Sequence, residues 1–304
     1  MNPISSPSPA RLATPFALPW AKLLRWIYVA LFLLYLYLPL GIVALLAFND
    51  SDLPALPWRG FTLDWFFDPT GDRKGIFNDP QMLGAMGTSL LVALGVTALC
   101  LVVGTTAAFL FERYPFPGSA ALYFAMVATI VIPGVILGVA LLSTGNLVIT
   151  VLRDWLGRPF VSAIGLSSLL RPGLFLVILG QFSFIGALAT IIIAGRLRRF
   201  PIEQERAAMD LGATRFQAIL RVTVPYLMPA LVSAGVVSFL SSFENFNTTL
   251  FLIGNQPTLP ILFFSRLRFE ITPQINAVSV LLMVGAMSLG LLSLLLGRRN
   301  SPEG

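Results

Sequence analysis

Glu244 is the only side chain charged at neutral pH within the long apolar stretches of this 304-residue sequence. A charged side chain at the centre of a bilayer costs about 2.5–3.5 kcal/mol on insertion scales, so such a residue usually faces a cavity or a partner. Helical spacing would place Ser241, Asn247 and Thr248 on its face, with Phe243 and Asn245 beside it. A carboxylate among amides and aromatic rings suits a cationic amine, because charge pairing, hydrogen bonds and cation–π contacts of about 0.5–2 kcal/mol act together. We interpret these six residues as lining a path for a substrate.

A structural role for Glu244 is the alternative. Counted from Pro225 at about 1.5 Å per residue, Glu244 lies between the middle of the membrane and its outer edge. At the outer edge it would be solvated or paired with Arg266 or Arg268. The sequence leaves both roles open.

A second candidate site is the polar segment 200–222, whose residues predict two short helices joined by a turn. The signals are Pro201 in the first turn, Glu203 and Glu205 near the positive helix N-terminus, Gly212 in a left-handed position, and a capping box of Thr214 and Gln217. The second helix is expected to run to about Val222, and Pro225 to begin the next span. A unit this small has no core of its own, and it presents Ala207, Ala208, Met209, Phe216 and Ile219. Small and flexible apolar residues suit docking into a groove of another protein, although an amphipathic loop lying on lipid headgroups is the alternative.

Scarce residue types exclude several kinds of chemistry. The chain has no histidine, one cysteine (Cys100) and two lysines, Lys22 and Lys74. Without histidine there is no Ser-His-Asp triad and no histidine metal ligand, and one cysteine excludes an intramolecular disulfide and a thiolate zinc cluster. Neither lysine follows a glycine-rich phosphate-binding loop. We therefore expect no catalytic residue, no metal and no cofactor in this chain.

The elements that must position these residues are membrane-spanning helices. The chain is 56% hydrophobic and 11% charged, and six apolar stretches reach the roughly 20 residues that a spanning helix needs. Their approximate bounds are 26–48, 82–110, 120–142, 173–195, 224–254 and 275–296. The first stretch is too long for a secretory signal and lacks a cleavage site, so we expect an uncleaved span. The external segment 143–172 is half apolar and is predicted to hold a short re-entrant or interfacial helix.

The distribution of charge predicts the orientation. With both termini in the cytoplasm, the cytoplasmic segments hold 12 basic and 5 acidic residues, while the external segments hold 8 of each. This asymmetry follows the positive-inside rule, so the basic excess indicates topology and not nucleic-acid binding. We expect an all-α polytopic membrane protein with a cytoplasmic tail at 1–25, a transmembrane domain at 26–297 and a cytoplasmic tail at 298–304.

The segment 200–225 resembles the E-A-A-x-x-x-G-x(9)-I-x-L-P signature of permease subunits of bacterial ABC importers. The positions in register are Ala207, Ala208, Gly212 and Pro225. Arg206 stands at the glutamate position of the signature, with Glu205 one residue earlier. Stretches at 37–42, 48–49, 58–62, 132–138 and 273–277 resemble the second permease of spermidine/putrescine-type importers. The resemblance runs from about residue 35 to the last span and excludes 143–172.

This resemblance implies the MetI-like transmembrane fold of type I ABC importers, with 200–222 as a coupling helix that docks into an ATPase subunit. The residues it assigns to coupling are Glu205, Arg206, Ala207, Ala208, Asp210, Gly212 and Phe216. If the glutamate of the signature pairs with an ATPase arginine, this chain must use Glu205 or Asp210 or have a compensated partner.

The resemblance also implies the partners of the chain. They are a second permease in a heterodimer, two ATPase subunits that bind ATP and Mg, and a periplasmic or extracellular solute-binding protein, assembled in the bacterial inner membrane. A polyamine-like solute is expected, but a single acid leaves room for other organic amines, amino-acid-like compounds or ferric iron. A self-sufficient secondary transporter or channel using Glu244 is the competing interpretation. Such a protein usually carries more intramembrane charge and an internal repeat, and we see no repeat here.

Overall fold

The structure, a computed structural model, describes residues 19–69, 73, 75–114, 116–163, 165, 169–269 and 272–299. Its helices in chain order are α1 (Pro19–Leu46), α2 (Asp64–Phe67), a 3-10 turn (Ile76–Asn78), α3 (Pro80–Arg113), α4 (Ser119–Val131), α5 (Gly134–Leu156), α6 (Arg158–Ala163), α7 (Leu174–Leu197), α8 (Ile202–Asp210), α9 (Arg215–Ala218), a π-helical turn (Ile219–Thr223), α10 (Val224–Phe243), α11 (Thr249–Leu252), α12 (Leu259–Phe269) and α13 (Gln274–Arg299). Most of the predicted N-terminal tail and the residues from 300 onward lie outside this description, and α1 begins before the predicted boundary at 25.

Six helices in the described part of the chain are long and apolar enough to cross a membrane, as predicted. They span Lys22–Leu46, Pro80–Arg113, Gly134–Leu156, Leu174–Leu197, Arg215–Phe243 and Gln274–Ser293. With six crossings, α1 begins and α13 ends at the same end of the bundle as α8. We call this the basic end, because it carries Arg113, Arg196, Arg198 and Arg215. The opposite end carries the loop after α1 and helices α2 and α12.

The third span differs from its prediction. The predicted helix 120–142 is two helices, because α4 ends at Val131 and α5 begins at Gly134 and continues to Leu156. Ile132 is extended, as the residue before a proline tends to be. The apolar residues 147–152, assigned to an external segment, are therefore the end of α5, and within the described part of that segment α6 is a short helix as expected.

The core of the bundle is formed where α3, α7 and α10 pack together. Small residues permit this approach. A Cβ at Gly95 would lie 2.9 Å from Ile178 Cδ1, and one at Gly104 would lie 3.4 Å from Ala189 Cβ. In contrast, α1 is exposed along most of its length, and its main packing partner is α13.

A buried polar cluster closes the opposite end of the bundle. Asp79 caps α3 through the backbone N–H groups of Gln81 and Met82, and its carboxylate lies 2.6 Å from Arg266 Nη2. Burial alone would raise the pKa of Asp79, but the hydrogen bond and charge of Arg266, together with the other donors, outweigh it and lower the pKa. Gln274, in the first turn of α13, bonds to both of these side chains. The cluster thereby ties α3, α12 and α13 together.

Candidate functional site

The segment 200–222 folds largely as its local signals predict. Pro201 is the N-cap of α8, Gly212 has a φ of +93°, and Thr214 and Gln217 form a capping box. The second helix does not end near Val222, however, because α9, the π-helical turn and α10 follow one another without a break. The predicted end of the second helix near Val222 is therefore wrong.

The π-helical turn accommodates the proline at the start of α10. Pro225 has no N–H with which to continue the α-helical ladder. Just before it, the Val224 N–H donates to the Ile219 carbonyl, the wider spacing of a π-helix. Such turns often occur at functional sites. Here the turn joins the segment directly to a spanning helix.

Glu205 points into the bundle. Its side chain is 11% exposed, and its Oε1 lies 3.4 Å from Nη2 of Arg113, which is 14% exposed. The hydroxyl of Thr223, in the π-helical turn, also donates to Glu205. Glu205 therefore fastens α8 to the end of α3 and to the start of the α10 region. Its carboxylate is directed at these two side chains.

The outward surface of the segment is apolar with cationic positions. Leu211 is 90% exposed at the turn, and Phe216 is 70% exposed on α9. Arg206 is exposed on α8. Ala207 and Asp210 are also exposed, while Ala208 is half-buried. We define the docking surface as Arg206, Ala207, Asp210, Leu211 and Phe216.

Aromatic and cationic side chains anchor the base of this segment. Arg196 Nε donates to the Tyr226 carbonyl at 2.8 Å, and its guanidinium lies over the Tyr226 ring. Arg113 lies over Phe200 in the same way, with 5.4 Å between Cζ and the ring centroid. Arg113 and Arg196 are thus fixed by aromatic side chains of the same chain.

The fifth span ends before Glu244 is reached. Helix α10 stops at Phe243, Glu244 is its C-cap, and α11 begins at Thr249. The prediction of a shared helical face is therefore wrong for Asn247 and Thr248, which lie beyond the end of α10, whereas Ser241 stays in its last turn. Thr248 is fully buried under α5, where a Cβ at Gly134 would lie 2.8 Å from its Oγ1.

The carboxylate of Glu244 is exposed and forms no ion pair with any described residue. Its proposed structural partner, Arg266, is bound to Asp79 instead. Glu244 also stands at the C-terminus of a helix, where carbonyl groups give a negative potential that disfavours an acid. Fold stability does not explain a carboxylate at this position.

A cavity of about 420 Å³ adjoins Glu244 between α10, α12 and α13. Its walls are largely apolar, and Glu244 is its one ionisable lining residue. Three rings contribute: Phe239, Phe243 and Phe263. The volume is within the range of small-molecule sites. The arrangement could hold an ammonium group at the carboxylate and an alkyl chain against the rings.

A buried hydrogen-bond network surrounds the interruption between α10 and α11. Gln181 of α7 donates to Thr249 Oγ1 at 2.8 Å and accepts from the Ser242 hydroxyl. Thr249 in turn donates to Asn245 Oδ1 at 3.1 Å. Sequence reasoning missed Gln181, although it is the only amide side chain in the fourth apolar stretch. Leu211 was also missed, because its exposure at the turn is visible only in the structure.

Among the described residues, no group of three or more cysteine, aspartate or glutamate side chains is placed to hold a metal ion. The candidate site has two parts, and the continuous helical stretch Arg215–Phe243 runs from one to the other. The docking surface lies at the basic end, and Glu244 with its cavity lies at the far end of α10.

Comparisons with known proteins agree with this architecture. The family of binding-protein-dependent transport system inner membrane components matches residues 100–302. The chain is 30% identical over 267 residues to the putrescine transport system permease protein PotI of Escherichia coli (strain K12), covering 87% of this chain and 86% of the relative. It is 27% identical to the spermidine/putrescine transport system permease protein PotC of Haemophilus influenzae, covering 88% and 93%.

A solved structure shares the fold. A bacterial ABC transporter involved in the import of the acidic polysaccharide alginate contains a chain that superposes with a TM-score of 0.64 at 19% identity, covering 92% of this chain and 98% of that chain. A second structure, of a bacterial alginate ABC transporter in complex with a pentasaccharide-bound periplasmic protein, gives a TM-score of 0.63 at 18% identity and covers 94% and 95%. The MetI-like fold expected from the sequence is confirmed.

Proposed function

We propose a transport role for this chain, which belongs to the family of binding-protein-dependent transport system inner membrane components. The chain forms half of a translocation path for a small cationic organic solute, and it is coupled to an ATPase. As a member of this family the chain is a multi-pass permease subunit of an ABC importer and is not itself an enzyme. The solute, the coupling residues and the orientation are the new parts of the proposal.

The observation that carries the cationic solute is the unpaired Glu244 at the broken end of α10. Its charge and the negative end of the helix dipole attract the same sign of ligand. The rings of Phe239, Phe243 and Phe263 line the adjacent cavity and suit an alkylammonium. Relatives at 27–30% identity are named as putrescine and spermidine/putrescine permeases, which supports a polyamine-like solute.

We propose that the docking surface enters a cleft of the ATPase subunit. Leu211 and Phe216 supply apolar side chains that are 90% and 70% exposed and are therefore accessible to a partner. Because Glu205 is bound to Arg113 and Thr223, it is not free to pair with an ATPase arginine. Arg206 is the exposed charge at the glutamate position of the signature, so the ATPase that fits this chain presents an acidic group there.

Coupling then follows one continuous element. Arg215–Phe243 is a single 29-residue stretch that begins at the docking surface and ends beside Glu244. Motion of α8 is passed to it through the contact of Glu205 with Thr223. Rigid-body motion of this stretch against α3 and α7 would expose the path to one side of the membrane and then to the other.

The assembly we propose places the basic end and both termini in the cytoplasm, following the positive-inside rule. The partners are a second permease, two ATPase subunits that bind ATP and Mg, and a solute-binding protein that delivers the solute from outside. The membrane is the bacterial inner membrane.

Reconstitution of the complete importer in proteoliposomes tests the proposal. We expect ATP-dependent uptake of radiolabelled putrescine or spermidine, which falls at least tenfold in Glu244→Gln. Asp154→Asn, an exposed carboxylate at the end of α5, is the matched control and keeps normal uptake. Uptake by this chain alone without ATP would favour a secondary transporter, and normal uptake by Glu244→Gln would remove Glu244 from the path.

A further inference from the structure

Gln181 is a fully buried amide within a membrane-spanning helix. It lies sixteen residues from the last residue of α7 at the basic end, about 24 Å along the axis. A primary amide without partners in such a place costs several kcal/mol, because no water is available to it. Its retention at this depth requires an explanation from the contacts that it makes.

Both atoms of the amide are used, and they bridge the interruption in the fifth span. The carbonyl oxygen accepts from Ser242, in the last turn of α10, and the nitrogen donates to Thr249, the first residue of α11. These two residues flank 244–248, the segment that contains Glu244. Ser242 and Thr249 are themselves at most 2% exposed. One side chain of α7 therefore holds both edges of the break.

The packing around this bridge is close. A Cβ at Gly180, the neighbour of Gln181, would lie 2.2 Å from Leu252 Cδ1 on α11. Asn245 Oδ1 accepts from the Thr249 hydroxyl at 3.1 Å, which extends the network into the break itself. The interruption is thus an ordered part of the fold, fixed by hydrogen bonds and close packing, and not a frayed helix end.

We propose that Gln181 is a positioning residue: by holding the two edges of the break, it sets where the Glu244 carboxylate stands in the translocation path. This inference rests on the proposed role of Glu244. Gln181 touches no solute and acts only through Glu244. Its loss therefore impairs solute passage more than it impairs the response of the ATPase.

The test compares Gln181→Met, which keeps the length of the side chain and removes both hydrogen bonds, with Thr190→Val. Thr190 is a buried residue of the same helix whose hydroxyl bonds only within α7. In the reconstituted importer we expect Gln181→Met to lower uptake per ATP hydrolysed at least fivefold while stimulation of ATPase activity by the loaded binding protein persists. Thr190→Val keeps both. A parallel loss of uptake and ATPase stimulation in Gln181→Met would overturn the proposal, because that pattern indicates general destabilisation.

A double-mutant cycle separates positioning from a merely structural role. If Gln181 acts through Glu244, Gln181→Met adds no further loss in the Glu244→Gln background, whereas independent effects multiply. Equal fold losses in both backgrounds would overturn the inference. Thr249→Val, which removes one of the two bridging bonds, serves as the second variant if Gln181→Met fails to assemble, and it should show the same non-additivity.

A structural readout distinguishes failure of the inference from failure of the proposed function. A spin label on Glu244→Cys, in a Cys100→Ala background, should become more mobile in Gln181→Met and stay unchanged in Thr190→Val. Unchanged mobility in Gln181→Met overturns the positioning role. If the spin label becomes more mobile in Gln181→Met but Glu244→Gln keeps normal uptake, the positioning role of Gln181 is supported and the proposed role of Glu244 in the translocation path is overturned.

Discussion

Replacing Glu205 with alanine tests whether α8 is fastened to the bundle from within. The change leaves Arg113, which is 14% exposed, without its counter-charge and removes the bond from Thr223. Breaking a fully buried pair costs about 3–5 kcal/mol, and a hydrogen bond to a charged group about 1.5–3 kcal/mol. The pair here is 3.4 Å long and partly exposed, so we expect about 2–4 kcal/mol in total, a roughly 30- to 700-fold rise in the detached population of α8.

Hydrogen exchange of the α8 amides, measured on the permease pair in lipid nanodiscs, reports that population. Glu203→Ala is the control, because Glu203 is an exposed acid in the same first turn and contributes only about 0.3–1 kcal/mol to the helix dipole. We expect fast exchange of 202–210 in Glu205→Ala and near-normal exchange in Glu203→Ala. Replacing both Glu205 and Arg113 with leucine should restore part of the protection, because no unpaired charge then remains.

The opposite result would refute the inward assignment of Glu205. If α8 in Glu205→Ala exchanges as slowly as in Glu203→Ala, the carboxylate does not hold the helix. If the same variant also loses capture of the ATPase subunit in a pull-down, Glu205 faces the partner. The docking charge would then be Glu205 and not Arg206.

Three further changes follow from the geometry. Arg206→Glu should reduce capture of the cognate ATPase at least tenfold in a pull-down, and a lysine at the facing acid of the ATPase should restore it; undiminished capture would exclude Arg206 from the contact. Asp79→Asn should lower the Tm at pH 7. The pKa of Asp79 is lower in the folded protein than its ordinary value of 3.8. The ionised carboxylate therefore contributes its full stabilisation above pH 3.8, and this stabilisation is lost as the pH falls through the pKa of the folded state. The difference in Tm between the unmodified protein and Asp79→Asn should therefore narrow only below pH 3.8. A Tm difference that vanishes at pH 6 would contradict this. Gly138→Ala should lower the Tm, because its Cβ would lie 2.9 Å from the Thr248 carbonyl, whereas Gly84→Ala meets nothing within 4 Å and should not; equal effects would argue against this contact.

The six spans and the signals that end α8 and begin α9 were predictable because local rules govern them. Apolar runs longer than about 20 residues have few alternatives to spanning the membrane. The left-handed Gly212 and the Thr214–Gln217 capping box depend only on neighbouring residues. Each of these features is encoded within a few positions of where it appears.

The breaks within spans were harder to predict, because tertiary contacts decide them. No proline or glycine stops α10 at Phe243, and the network that holds its end comes from Gln181, 61 residues away from Ser242. The inward direction of Glu205 likewise depends on Arg113, 92 residues away. A single sequence without aligned relatives carries no signal for such pairings.

The weak packing of α1 has a consequence for the order in which the protein is made. Its main partner is α13, and more than 200 residues of chain separate the end of one from the start of the other. At a synthesis rate of about 5–20 residues per second, roughly 10 to 45 seconds pass before that partner emerges from the ribosome. During this interval α1 has no α13 to pack against, and its exposed surface is apolar and suited to lipid. Helix α1 therefore reaches its packing position in the bundle only after α13 has been made.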